Sequence, residues 1–160
     1  MEILPLLKDL PGVSAFSTLA GFNTCTYAGA PAAQTAAHMR RLELLTGLPA
    51  SRIYLPIQTH SARVAVISEN SENSENSESS ECSILADGLA ARGRGIALGI
   101  HTADCLPLLL VDPEAQVIAA VHCGWRGTVA GIATNAVSAM ISLGANPERT
   151  IAAIGPHICP

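Results

Sequence analysis

The stretch from 100 to 128, IHTADCLPLLLVDPEAQVIAAVHCGWRGT, restricts the fold of this chain more than any other. It reads as strand, tight turn, strand, then a glycine-punctuated turn into a helix. A cysteine opens the hairpin and a histidine closes it. With residues 113 and 114 (Pro-Glu) as a two-residue loop, every cross-strand pair sums to 227, and Cys105 faces His122 directly. Opposed residues on one sheet face have Cβ atoms roughly 4.5–5.5 Å apart. That is close enough for a thiolate and an imidazole to share one metal. Pro at the first loop position suits type I or II turns, whereas primed types dominate two-residue hairpins. The register therefore carries the expectation, since a one-residue slip would move one ligand to the other face.

The 160 residues suit a single domain, 1–160, long enough for a genuine core. Only 3% are aromatic, so Ala, Val, Ile and Leu must build that core. Net charge is −4, but five of the thirteen acidic residues lie in the run SENSENSENSESSE, residues 68–81. The rest is nearly neutral and lacks the basic footprint of a nucleic-acid binder. The run itself is too polar and too like-charged to offset the entropy of ordering it, and is expected to be a solvated, disordered insert. No eighteen-residue apolar stretch suggests a membrane span, and the N-terminus lacks the basic region of a signal peptide. Five scattered cysteines, none in a C-x-x-C pair, favour free or ligating thiols in a reducing compartment, hence the cytoplasm.

Along the chain, a short strand is expected near 13–17. A helix is expected over Ala32–Thr46, with Pro31 suited to its first position and Gly47 closing it. Residues 52–57 and 63–67 read as strands flanking Gln58-Thr59-His60-Ser61-Ala62. Residues 84–88 lead into a glycine-rich turn, and 95–102 read as the next strand. Gly93-x-Gly95-x-x-x-Gly99 lacks dinucleotide-loop spacing and enters a strand. Residues 128–143 are the best helical pattern, with Val129, Ile132, Ala133, Ala136, Val137 and Met140 on one face and Gly144 at the end. A last strand is expected at 150–154. Strands outnumber helices, so the class is α/β, a mixed sheet covered by helices.

Imidazole and thiolate ligands together suit zinc, or copper where a soft thiolate selects it. A catalytic zinc keeps three protein ligands and one open position. Cys105 and His122 supply two. For the third, spacing leaves His38, His60, His101 and His157 open, with Asp104 beside the thiolate. His38 falls in a predicted helix, where a surface role is ordinary, and His101 lies roughly 13 Å along the strand from Cys105. His60 and His157 are on loops, which can aim a side chain. Each histidine alone would be read as an ordinary polar residue, and Cys105 alone as a small hydrophobe. After His122, Gly124 to Gly127 precede a helix, and Arg126 adds a fork suited to phosphate or carboxylate. Trp125, the only tryptophan, is expected to cap the core rather than stack a planar ligand.

QTH at 58–60, TADCLPLL at 102–109, VHCGWRGT at 121–128 and IGPHI at 154–158 resemble the YfiH/laccase-domain family. The resemblance runs from about Gly12 to the end. It implies a four-layer α/β/β/α arrangement of mixed sheets, CNF1- and YfiH-like, and a zinc held by His60, Cys105 and His122. It also implies phosphorolysis of adenosine, inosine and methylthioadenosine, with adenosine deamination at the same site. Some members instead remove a wrongly incorporated L-Ser from UDP-MurNAc-L-Ser in peptidoglycan precursors. Three departures stand out. Cys123 replaces a usual Ala and would set a second thiol beside the metal ligand. His38-Met39 stand where the family usually has Asn-Arg. The family also continues past the final GPHICP, which implies a chain incomplete at its C-terminus.

The resulting expectation is a zinc-dependent purine nucleoside enzyme acting on a small molecule. Cys105 and His122 would lie at the reacting centre, Arg126 would hold phosphate, and Asp104 would act as general base or orient a ligand. The rival enzyme reading makes Cys105 a covalent nucleophile activated by His122, hydrolysing a muropeptide amide. A non-catalytic metal-binding module would instead close the site with Cys123 or His157 as fourth ligand. Multicopper chemistry would need several His clusters, which the sequence does not supply.

Overall fold

A computed structural model describes residues 3–7, 10–25, 29–68 and 84–158. Nearly all of the acidic insert expected at 68–81 lies outside the described residues. In chain order the elements are β1 (Ile3–Pro5), β2 (Phe16–Thr18), α1 (Ala32–Thr46), β3 (Ile53–Tyr54), β4 (Val64–Ile67), β5 (Gly88–Arg92), β6 (Ala97–Leu98), β7 (Leu106–Asp112), β8 (Val117–Cys123), α2 (Trp125–Val129), α3 (Ile132–Ser142) and β9 (Ile151–Ile154). The chain is a mixed α/β protein, as the sequence implies.

A five-stranded sheet in the order β4-β5-β8-β7-β9 organises the molecule. The β4–β5 pair is parallel and the others antiparallel. Two-stranded sheets join β1 with β2 and β3 with β6. Alternation along the strands sorts side chains onto two faces. Ala90, Val117, Ala119 and Val121 pack on one face against Ile132, Ala136 and Met140 of α3. Leu89, Ala91 and Ile118 face the other way, with Tyr54, Ile67 and Leu98. Large sheet and small sheet thus lie back to back, with α3 outside.

The helix α1 has the expected bounds. Gly47 adopts φ 69° and donates its N–H to Glu43 O at 2.8 Å, the left-handed ending that glycine favours. Pro31 is the residue before the first turn rather than the first helical residue.

The continuous helix expected over 128–143 is instead two. It begins earlier, at Trp125, and breaks at Gly131, whose φ of 84° no helix accommodates. The break takes Val129 (84% exposed) off the core, while Ile132, Ala136 and Met140 remain buried at i, i+4 and i+8. The strand β5 was not expected. Its sequence GLAAR is rich in residues with poor strand propensity, yet it lies inside the sheet between β4 and β8, with Leu89, Ala90 and Ala91 buried.

The hairpin register also differs from expectation. Observed pairs such as Leu106↔Cys123 and Leu108↔Val121 sum to 229. Four residues, 113–116, make the loop. Asp112 Oδ1 accepts from the N–H groups of Glu114 and Ala115, both at 3.1 Å, and Gln116 takes φ 55°. An acceptor side chain, then Pro, then a left-handed residue build a turn of type I character, which splays a two-residue loop but suits a longer one.

Candidate metal centre

Strand registers place three chain segments over the same end of β8. Continuing the β7–β8 register by one step sets Cys105 opposite Gly124, diagonal to His122. Because 229 and 227 differ by two, Cys105 keeps the face it was expected to have. Continuing the β5–β8 register past Gly88↔Val121 sets Asp87 opposite His122, and His122 N donates to Asp87 O at 2.7 Å. The third segment, 58–62, crosses from the strand preceding β4.

Here the donor atoms of His60, Cys105 and His122 all lie within 4.8 Å of one another. A small side-chain rotation closes that spacing to the one around a single ion with bonds of about 2.0–2.3 Å. The two imidazole rings meet edge to face, centroids 4.8 Å apart. Exposure is graded across the cluster: His122 is 3% exposed, Cys105 half-buried and His60 exposed. Two imidazoles and a thiolate suit zinc, and the cluster's outer side faces solvent. Among the described residues, no other His, Cys, Asp and Glu side chains form such a group.

Asp87, which sequence reasoning missed, organises two of the three. It is fully buried. Its Oδ1 lies 3.0 Å from His122 Nδ1 and accepts the His60 N–H at 2.9 Å. Its Oδ2 accepts from Ser61 N at 2.6 Å, Ser61 Oγ at 2.7 Å and Thr59 N at 3.2 Å. Burial would raise its pKa, but the hydrogen bonds from Ser61, His122 and Thr59 outweigh burial and hold it lowered to about 2. An ionised Asp87 accepts a proton-bearing Nδ1 and leaves Nε2 of His122 as the lone-pair donor. The same carboxylate gathers three consecutive backbone N–H groups and so bends the loop. His60 sits at its apex with φ 59°, a conformation uncommon for a residue with a side chain. The only sequence signal for Asp87 was a lone Asp before a glycine.

Glycines make the remaining room. A Cβ on Gly124 would lie 3.0 Å from His60 Cδ2, 3.3 Å from His122 Cε1 and 3.5 Å from Cys105 Sγ. One on Gly127 would lie 2.6 Å from the Ser61 carbonyl oxygen. Both positions are buried where α2 meets the loop carrying His60.

The other expected residues fall as follows. Asp104 is exposed on the bend before β7, and its carbonyl accepts from Ile158 N at 3.0 Å. Arg126 is exposed on α2 with its guanidinium 5.3 Å from the Trp125 ring centroid. Trp125 is 71% exposed and does not cap the core. The early start of α2 carries it to the surface. Cys123 packs with the cluster facing α3, so it is not a second thiol beside the ligands, and burial raises its pKa. Strand alternation puts it across the sheet from His122. His38 stacks on Phe22 and bonds the Asn23 backbone, His101 Nε2 meets Thr24 Oγ1 at 2.8 Å, and His157 Nδ1 meets Gly155 O at 2.9 Å.

Fold and cluster together define an α/β protein with a His/Cys/His group capable of coordinating a metal ion. The family described as multi-copper polyphenol oxidoreductase laccase matches residues 9–160, and the chain belongs to it. Adenosine deaminase RL5, from an unknown prokaryotic organism, is 38% identical over 169 aligned positions, covering 99% of this chain and 64% of its own. A purine nucleoside phosphorylase of Deinococcus radiodurans is 56% identical over 73 residues, 46% of this chain and 29% of its own. Among solved structures, YlmD from Geobacillus stearothermophilus superposes with a TM-score of 0.75 at 28% identity, over 86% of this chain and 51% of YlmD. YfiH of Bacillus licheniformis gives 0.76 at 26% identity, over 86% of this chain and 52% of its own. The chain therefore spans about half the length of these structures. No helix among the described residues is long and apolar enough to cross a membrane.

Proposed function

We propose that the chain carries the zinc centre of a purine nucleoside enzyme. Its activity would be phosphorolysis of adenosine, inosine and methylthioadenosine to free base and ribose 1-phosphate, with deamination of adenosine at the same centre. The observation that carries this reading is a three-donor cluster, His60, Cys105 and His122, open on one side. A closed structural site would need a fourth ligand, and Cys123 points away from it. The names of the relatives, an adenosine deaminase and purine nucleoside phosphorylases, supply the substrate class.

Zinc supplies Lewis acidity, which makes water a competent nucleophile near neutral pH. The protein's own groups do the positioning. Asp87 holds His122 in the tautomer that presents Nε2, and it fixes the loop that aims His60. Arg126, exposed on α2 just after the strand that carries His122, would pair with the phosphate that attacks the ribose. Asp104, exposed beside Cys105, would take or orient the proton of the attacking group.

Replacing Cys105 with Ala is expected to remove bound zinc and inosine formation from adenosine together. Elemental analysis and an absorbance assay for deamination read both. A Cys105→Ala protein that keeps full activity would sink the mechanism.

A further inference from the structure

Asp87 ties His60 to His122, but it makes no bond to the segment carrying Cys105. We infer that Gln58 does so, as a positioning residue for the third ligand. The inference rests on the metal-site reading given above. The Gln58 side-chain amide pairs with the His101 peptide in both directions. Nε2 donates to His101 O at 2.8 Å, and Oε1 accepts from His101 N at 2.7 Å. That is the hydrogen-bond pattern of one step of a β-ladder, supplied by a side chain just beyond the end of the parallel β3–β6 pairing, whose last backbone bond runs from Gly99 N to Tyr54 O at 3.0 Å.

The two anchored segments are the ones that matter. Gln58 lies two residues before His60, and His101 four residues before Cys105. The far end of the Cys105 segment is held separately, by Ile158 N to Asp104 O at 3.0 Å and Gly155 N to Pro107 O at 3.0 Å. The near end is held by the amide pair and by the His101 ring against Thr24 Oγ1 at 2.8 Å. Residues 103–105 are a bend outside any strand, so no ladder fixes Cys105 itself. On the near side, its approach to His60 is set by the β3–β6 pairing and, closest in sequence to both ligands, by the amide pair between 58 and 101.

A glutamine is required because only a side-chain amide offers a donor and an acceptor side by side. Gln58→Met keeps length and apolar bulk and removes both bonds. Gln58→Glu keeps shape and the acceptor, but sets an oxygen against the His101 carbonyl.

The test measures zinc affinity by chelator competition, and the cobalt-substituted protein's thiolate-to-metal absorption band, in the unaltered chain and both variants. Melting temperature is followed in parallel. Loss of groups that orient metal ligands lowers affinity about 10–100-fold, and that loss is expected here. The thiolate band should weaken while the folded fraction is unchanged. Thr24→Val, which removes the ring contact but leaves the amide pair, is expected to keep the parent's affinity and band. Should Gln58→Met fail to fold, Gln58→Glu carries the comparison. Parent-like affinity and band in a folded Gln58 variant would overturn the role of Gln58 and leave the metal centre standing. An unaltered protein showing no thiolate band with cobalt would overturn both.

Discussion

At Asp87, one buried carboxylate satisfies a left-handed loop, a hydroxyl and an imidazole at once. Asn at 87 keeps the shape but turns one acceptor into a donor facing donors. Each buried group left without a partner costs about 1–3 kcal/mol. Asp87→Asn is therefore expected to lower stability by about that much or more and to weaken zinc binding about 10–100-fold. Urea denaturation and chelator competition check the two effects. The acid limb has a definite sign. A carboxylate lowered to about 2 contributes stability that is complete above its ordinary pKa of ~3.9 and is lost as pH falls toward 2. The unaltered protein should lose more stability than Asp87→Asn between pH 5 and 2; equal losses would mean that Asp87 does not carry it. Residues of this kind were the least legible in the sequence. Cys105 and His122 were visible as a pair because a hairpin separates them. Asp87 became meaningful only once a strand absent from the sequence pattern set it opposite His122.

The element scale explains why the ligand pair was legible despite a wrong register. A two-residue error in the hairpin sum preserves the face of every side chain, whereas an error of one would have sent Cys105 across the sheet. Parity survived because the observed loop, 113–116, is longer than the expected Pro-Glu pair by two residues. The sum itself depended on Asp112 capping a four-residue turn, which the Pro-Glu pair did not announce. The helices divide in the same way. Local chemistry at Gly47 defined α1, but the break at Gly131 was masked by an apolar pattern that ran through it. Gly127 and Gly131 also separate two reasons for glycine. At Gly127 a Cβ would meet the Ser61 carbonyl at 2.6 Å, so α2 or the loop bearing His60 must shift. At Gly131 the space is open and the constraint is φ alone. Gly127→Ala is expected to cost about 1–3 kcal/mol and to weaken zinc binding measurably. Gly131→Ala is expected to cost about 1–2 kcal/mol, through its left-handed φ, and to leave zinc affinity unchanged. Equal zinc affinity in the two variants, measured by titration against a chromophoric chelator, would contradict this account of the α2 contact.

Across the whole molecule, the hairpin joins two buried carboxylates with separate tasks. Asp87 serves the cluster at the open end of β8. Asp112, at the turn end, accepts from Asn146 N at 2.7 Å and Arg149 Nη2 at 2.9 Å, and so pins the hairpin to the segment between α3 and β9. The seven residues of β7 separate these ends by roughly 23 Å. Arg149 beside it, and then the Asn146 and Ala115 N–H groups, hold the Asp112 carboxyl well below the usual carboxylate range despite its burial. Its contribution is therefore present above pH ~3.9 and fades as pH falls below that value. Asp112→Asn is expected to destabilise the fold and to flatten that part of the acid limb, while zinc affinity stays within about twofold of the parent. The two carboxylates share no partner, and effects of sites this far apart add. The double variant Asp87→Asn/Asp112→Asn should thus lose the sum of the single losses in urea denaturation at neutral pH. A loss clearly different from that sum would show that the hairpin transmits strain from its turn to the metal-binding end, and that the two ends of the sheet are not independent.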